Sequence, residues 1–164
     1  MTPTIVVSMS DLRVSRSPDE RLTAVGLGSC VALCAYDRQA RIAGLSHIML
    51  PESAGRPESP GKYADTAVPA LIAALEESGA NRRMLLCAVG GGAEVFSCGS
   101  SNPALEIGGR NVRAVRAALK LAGLRVLAED TGGNAGRSVV LTVATGVVTV
   151  TPVGGAEKEL AKLG

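Results

Sequence analysis

Cys30 and His47 are the residues of this chain whose types can do chemistry together. The chain carries a single histidine and four cysteines: Cys30, Cys34, Cys87 and Cys98. Cys30 ends the stretch GLGSC at 26–30 and leads into the apolar run VALCAY at 31–36. A thiol beside an imidazole is a nucleophile arrangement. The ring draws off the proton, or stabilises the thiolate as imidazolium. Gly26 and Gly28 permit a sharp bend that turns backbone amides toward one spot, and the N–H groups of Ser29 and Cys30 can bind a developing oxyanion there. The plainer reading makes Cys30 a small apolar core residue and His47 a satisfied core histidine. Cys34 and Cys87 lie in apolar runs and read as packing, and Cys98, in a polar stretch, as an exposed thiol.

The pairing of residues 31–50 decides whether the two meet. The runs VALCAY (31–36) and IAGLSHIML (42–50) read as strands around a polar turn, DRQA. A loop of Asp37 to Ala40 pairs Tyr36 with Arg41, Cys34 with Ala43, Ala32 with Leu45 and Cys30 with His47. Directly opposed residues share a face, with Cβ atoms about 4.5–5.5 Å apart. A loop one residue longer or shorter would put thiol and imidazole on opposite faces.

Other chemistries lack their parts. The cysteines form no CxxC pair, and with one histidine they make a poor zinc set. A disulfide framework is unattractive in a reduced compartment. GLGSCV has Val31 where a dinucleotide fingerprint needs its third glycine, and the chain has no P-loop. No metal or organic cofactor is therefore expected. GGGAEVF at 90–96 can cradle an anion, but glycines alone are a weak signal. EDTGGNAGRS at 129–138 holds Asp130, Thr131, Asn134 and Arg137 among glycines. It reads either as a tight connection or as a loop lining a site.

The elements that position these residues are those of a well-buried fold. Of 164 residues, 46% are hydrophobic and twenty are glycine. This length fits one domain over 1–164. Strands are expected at 4–8, 22–28, 84–89 and 124–129, with a hairpin of 138–144 and 147–153 around the two-residue turn Thr145-Gly146. Helical spacing of Ala64, Ala67, Val68, Leu71, Ile72 and Leu75 predicts a helix over 65–78, capped by Asp65 and closed by Gly79. Pro69 falls near its first turn. A second helix over 110–122 carries Val112, Val115, Leu119 and Ala122 on its apolar stripe and ends at Gly123. Its arginines read as a solvated face. Residues 52–62 read as a loop, and the tail 154–164 as a frayed end. Hairpins mixed with strand–helix–strand passages favour an α+β fold, with helices on one side of mixed sheets.

Composition narrows the partners. The aromatics are Phe96, Tyr36 and Tyr63, which argues against stacking on single-stranded nucleic acid. A formal charge of +2 is too small to mark a phosphate-binding surface. The chain opens without a signal-peptide pattern and holds no apolar stretch of about 18 residues, so a cytoplasmic protein without membrane insertion is expected.

Six blocks carry a resemblance: GLGSCVAL at 26–33, GLSHIMLP at 44–51, PGKYADTA at 60–67, GGAEVF at 91–96, IGGRN at 107–111 and AEDTGGNAGRSV at 128–139. In these the chain resembles the CheD family of chemoreceptor glutamine deamidases. The resemblance implies a layered α-β-β fold similar to the deamidase domain of the cytotoxic necrotising toxins. It implies hydrolysis of glutamine side chains on methyl-accepting chemoreceptors, with Cys30 as nucleophile and His47 as its partner. A CheC-type phosphatase is implied as a further partner. Thioester chemistry would extend to glutamyl methyl esters. One position departs from the pattern: the family's third catalytic group, a threonine, is replaced by Ala24. Either Thr23 serves through a bulge or shifted register, or a backbone carbonyl orients the imidazole. Val95 stands where methionine is usual. The missing threonine leaves a second class of function open, a catalytically weak binding module that regulates a phosphatase or receptor.

Overall fold

The computed structural model describes residues 2–55, 58–95 and 106–164. Its elements are β1 (Thr4–Val6), β2 (Leu12–Ser15), β3 (Arg21–Leu27), β4 (Val31–Asp37), β5 (Ile42–Ile48), α1 (Ala64–Glu77), β6 (Leu85–Gly91), α2 (Ile107–Ala122), β7 (Arg125–Thr131), β8 (Arg137–Thr142), β9 (Val147–Pro152) and β10 (Lys158–Lys162). Two five-stranded mixed sheets form, ordered β1-β3-β8-β9-β10 and β2-β5-β4-β6-β7.

Three layers follow from which side chains each strand turns to which side. On β4, Val31, Leu33 and Ala35 pack with α1 and α2, while Ala32, Cys34 and Tyr36 pack against the first sheet. Every residue of β4 and β5 is buried, as expected for central strands covered on both faces. The order is therefore helices, second sheet, first sheet, an α-β-β arrangement. Gly44 admits α1 closely, since a Cβ there would lie 3.0 Å from side-chain carbons of both Leu71 and Leu75. The Tyr36 hydroxyl crosses between sheets and donates to the Val143 carbonyl at 2.8 Å.

Several expectations need correction. The β4–β5 loop is Arg38 to Arg41, so Cys34 faces Leu45 and Ala32 faces His47. Asp37 explains the shift: its carboxylate accepts from the N–H groups of Gln39 and Ala40 and stays in the ladder opposite Ile42. Arg41 then takes a left-handed conformation, φ 56°. Asp65 does not cap α1, whose N-cap is Tyr63; its carboxylate accepts from the Ser53 N–H instead. Pro69 lies inside the helix, beyond its first turn. Gly79 does close it, with its N–H on Glu76 O and that of Ala80 on Leu75 O. The β8–β9 connection is longer than two residues, because Leu141 pairs with Val148. The tail does not fray: β10 pairs with β9, and Leu163 is fully buried. Strand β2, LRVS, is too short to show a strong period in the sequence. Cys98 lies outside the described residues.

The first turn of α2 is pressed against backbone. A Cβ at Gly108 would overlap Ala93 O and lie 2.6 Å from Gly92 O. Glycine to alanine in a helix normally gains up to about 1 kcal/mol. Here the overlap should win, and Gly108→Ala should lose about 1–3 kcal/mol. Urea unfolding midpoints check this, and an equally stable variant would show that α2 is not seated as described.

Candidate active site

The loop between β3 and β4 is prepared by a bulge. Ala24 pairs with Val139 and Leu27 with Arg137, so β3 spends one residue more than β8 over this interval. Gly26 supplies the required left-handed conformation, φ 66°, and its N–H donates to Ser138 Oγ at 3.1 Å. The bulge restores Leu27 to the interior, where Leu22 and Ala24 also point. Gly28 keeps an ordinary φ, so Gly26 carries the bend alone.

Three successive carbonyls of the loop are then tied down. Gly28 O accepts from the Ala93 N–H and Cys30 O from the Gly92 N–H, each at 2.8 Å. Ser29 O accepts from Asn111 Nδ2 at 2.9 Å. Among the described residues, the N–H groups of Gly28, Ser29 and Cys30 donate to nothing. The glycines of 90–92 allow close packing: a Cβ on Gly91 would overlap Cys30 O, and one on Gly92 would overlap Val112.

Cys30 is half-buried and packs at the edge of the inter-sheet core. Burial pushes its thiol above the ordinary value. His47 is 4% exposed and alternates with Ala43 and Leu45, which face the same inter-sheet space. The observed register differs from the expected one by an even step. The histidine therefore opposes Ala32 and stays on the face of Cys30, one pair further along. The segment between β1 and β2 clamps it. Its N–H donates to Asp11 O and its carbonyl accepts from the Ser10 N–H. Its Nδ1 lies 2.9 Å from Val7 O. A carbonyl only accepts, so Nδ1 carries the proton and Nε2 is the basic nitrogen.

Thr23, the candidate third group, is held by the first sheet. Its hydroxyl donates to Val139 O at 2.9 Å, and the bulge that might have turned it begins beyond it. Its backbone also matters, since Thr23 O accepts from the Val7 N–H at 2.8 Å and so fixes the peptide whose neighbour holds His47.

The loop after β7 flanks the same backbone, with Gly132 N–H on Gly91 O and Glu94 N–H on Gly133 O. Arg137 and Asp130, two of the candidate residues of this stretch, hold the loop together. Buried Arg137 donates to the Asp130 carboxylate and to carbonyls of Asp130, Gly132 and Ala135. Burial pulls the Asp130 carboxyl up, but the hydrogen bond from Lys158 and the charges of Arg137 and Lys158 outweigh it and hold it below the usual range. Thr131 is half-buried and Asn134 is exposed at the tip.

Asn111 lies in the block IGGRN, whose spacing assigns it no role. It is fully buried, and its Nδ2 also donates to Met49 O at 2.9 Å, just past the end of β5. Its Oδ1 has no partner among the described residues, a cost of about 1–3 kcal/mol. A polar residue following two glycines near a helix start was the available signal.

Two exposed apolar residues adjoin the loop, Val25 on the bulge and Val95, which lies against Gly28. A cavity of about 570 Å³ between α1 and α2, lined by Pro69, Ile72, Ala118 and Leu121 among others, lies in the helix layer, across the second sheet from the thiol. Neither Cys30 nor His47 lines it.

A family model described as "CheD chemotactic sensory transduction" matches residues 49–152. A Symbiobacterium thermophilum protein named "Probable chemoreceptor glutamine deamidase CheD" is 47% identical, over 94% of this chain and 95% of its own length. A Thermotoga maritima protein named "Chemoreceptor glutamine deamidase CheD" is 44% identical over 93% and 94%, and a Methanococcus vannielii relative 48% over 88% and 92%. The solved structure of Neisseria meningitidis protein NMB0706, of family-model DUF152, matches at TM-score 0.51 and 12% identity, covering 80% of this chain and 63% of that one; the likeness is one of fold alone. With a family model over most of its length and relatives of this identity end to end, the chain belongs to the CheD family.

Proposed function

We propose that this protein deamidates glutamine side chains of chemoreceptors, with Cys30 as nucleophile and His47 as acid and base. The observation that carries the reading is the loop 28–30, whose carbonyls are all bonded outward while its amides stay free beside the thiol. Near-complete coverage of relatives named for this activity supports the substrate.

Each step has a group to perform it. His47 Nε2 takes the Cys30 proton as sulfur attacks the carboxamide carbon. The amides of Ser29 and Cys30 receive the oxyanion. The imidazolium returns its proton to the departing nitrogen, releasing ammonia and leaving a thioester. Water, deprotonated by His47 Nε2, attacks the thioester carbon. Glutamate leaves, and the proton restores the thiol. The same steps apply to a glutamyl methyl ester. The Val7 carbonyl holds the ring in the required tautomer, as the absent threonine otherwise would. The binding-module alternative thereby loses the observation that favoured it.

Exposed Val25 and Val95 beside the loop fit a protein substrate better than a free amino acid, because only a macromolecule covers them while a side chain enters. A CheC-type phosphatase is proposed as a further partner. A free thiol nucleophile suits the reducing cytoplasm. No helix among the described residues is long and apolar enough to cross a membrane.

Three measurements test the reading on a helical chemoreceptor fragment bearing glutamine, scored by ammonia release and the Gln-to-Glu mass change. Cys30→Ala should lose about 10⁴-fold or more, and His47→Gln about 10²–10⁴-fold, both folded. Near-native turnover in either would sink its assigned role. Thr23→Val should lose about 1 kcal/mol of stability yet keep kcat within about threefold; a collapse of kcat would return the hydroxyl to the mechanism. Because burial raises the Cys30 pKa, the protonated thiol dominates at neutral pH. Alkylation by iodoacetamide should climb through about pH 8.5 without levelling off. A plateau at lower pH would mean a preformed thiolate–imidazolium pair, and His47 would not be the base of the first step.

A further inference from the structure

We propose that Asn111 is a positioning residue that aims the Cys30 N–H into the oxyanion site and locks that peptide to the end of the histidine strand. The inference rests on the deamidase reading and names a part of its machinery.

The geometry follows from the peptide bond. All described peptides are trans, so the carbonyl of one residue and the N–H of the next point in opposite directions within one plane. Whatever holds the Gly28 carbonyl therefore sets the Ser29 N–H, and whatever holds the Ser29 carbonyl sets the Cys30 N–H. The first is held by the backbone N–H of Ala93. The second is held by a side chain, Asn111 Nδ2 at 2.9 Å. Of the two proposed oxyanion donors, one is aimed by backbone and the other by Asn111.

The amide group is suited to this in a way few side chains are. Its nitrogen carries two N–H bonds in a fixed plane, and both are used, one on Ser29 O and one on Met49 O. Only the nitrogen can face two carbonyls, so the orientation of the amide is determined by its partners. Met49 follows Ile48, the last residue of β5, and lies two residues after His47. A single planar group thus spans the nucleophile loop and the strand of the base. Its own seat is fixed from α2, where Gly108 lies against Gly92 and Ala93 and the Gly109 N–H donates to Glu94 Oε1 at 2.7 Å. The partnerless Oδ1 is the remainder of this arrangement, an acceptor left over once both hydrogens are committed.

The test uses Asn111→Leu, which fills the space without a donor, and Asn111→Ala, which removes the group. For whichever folds, judged by thermal unfolding, kcat for ammonia release from the chemoreceptor fragment should fall about 100-fold or more, with KM little changed. A peptide aldehyde replacing the glutamine carboxamide forms a tetrahedral adduct with Cys30, and its affinity should fall by the same factor. Alkylation of Cys30 by iodoacetamide builds no oxyanion and should keep its wild-type rate. Unchanged kcat and aldehyde affinity would overturn the proposal. So would an alkylation rate that falls in step with kcat, since Asn111 would then only hold the fold. In ¹⁵N relaxation, the Cys30 amide of the variant should become mobile while the Ser29 amide, held by Ala93, stays ordered. This readout needs no turnover. If wild-type protein releases no ammonia, the deamidase reading fails by itself, and an unmoved Cys30 amide still overturns the role of Asn111.

Discussion

The contact of the loop 28–30 with the end of β6 is the constraint on which the rest of the site depends. Gly92 and Ala93 hold two of its carbonyls, and this requires backbone to lie on backbone without intervening side chains. Glycine is needed at 91 and 92 on one side and at 108 where the helix closes over them. Those residues cost helix and strand propensity. What they provide is close approach: three chain segments meet within hydrogen-bond distance, and the loop 28–30 has little room to relax. On the proposed mechanism such a site is preorganised, since its donors stand ready before charge develops.

The two sheets divide the labour. The first contributes the bulge at Gly26 and, through Thr23 O, the footing of Val7. The second contributes Cys30 and His47, the proposed nucleophile and base, at the end of neighbouring strands. The chain between β1 and β2 crosses from one to the other and bonds His47 on the way, through Ser10, Asp11 and Val7. Sheet packing and imidazole orientation are therefore one structural problem. A shift of one sheet over the other would move the Val7 carbonyl from the ring.

Much of this was legible in the sequence where the signal is a period. The runs of β4 and β5, both helices and the shared face of Cys30 and His47 follow from alternation and helical spacing. The expected hairpin register was wrong, yet its error was even, and evenness is all that a face requires. Signals failed where tertiary context decides. Asp65 satisfies Ser53 instead of its own helix. β10, within the polar sequence KELAK, forms because β9 offers an edge and Leu163 finds a buried slot. Charge among glycines left Arg137 open to two readings, and only the fold shows its two terminal nitrogens bonded within its own loop. Asn111 gave little notice, since its partners are carbonyls, which every sequence contains.

The Val7 carbonyl carries a consequence of its own. When a side chain orients a catalytic imidazole, that partner can be deleted, exchanged and traced by residue type. A main-chain oxygen is supplied by whatever amino acid stands at the position. The orienting group of His47 is thus invisible to alanine scanning, and its presence cannot be judged from the letters of the sequence. Only an edit of the backbone itself, such as an ester in place of the amide after Val7, would weaken the acceptor and reveal it.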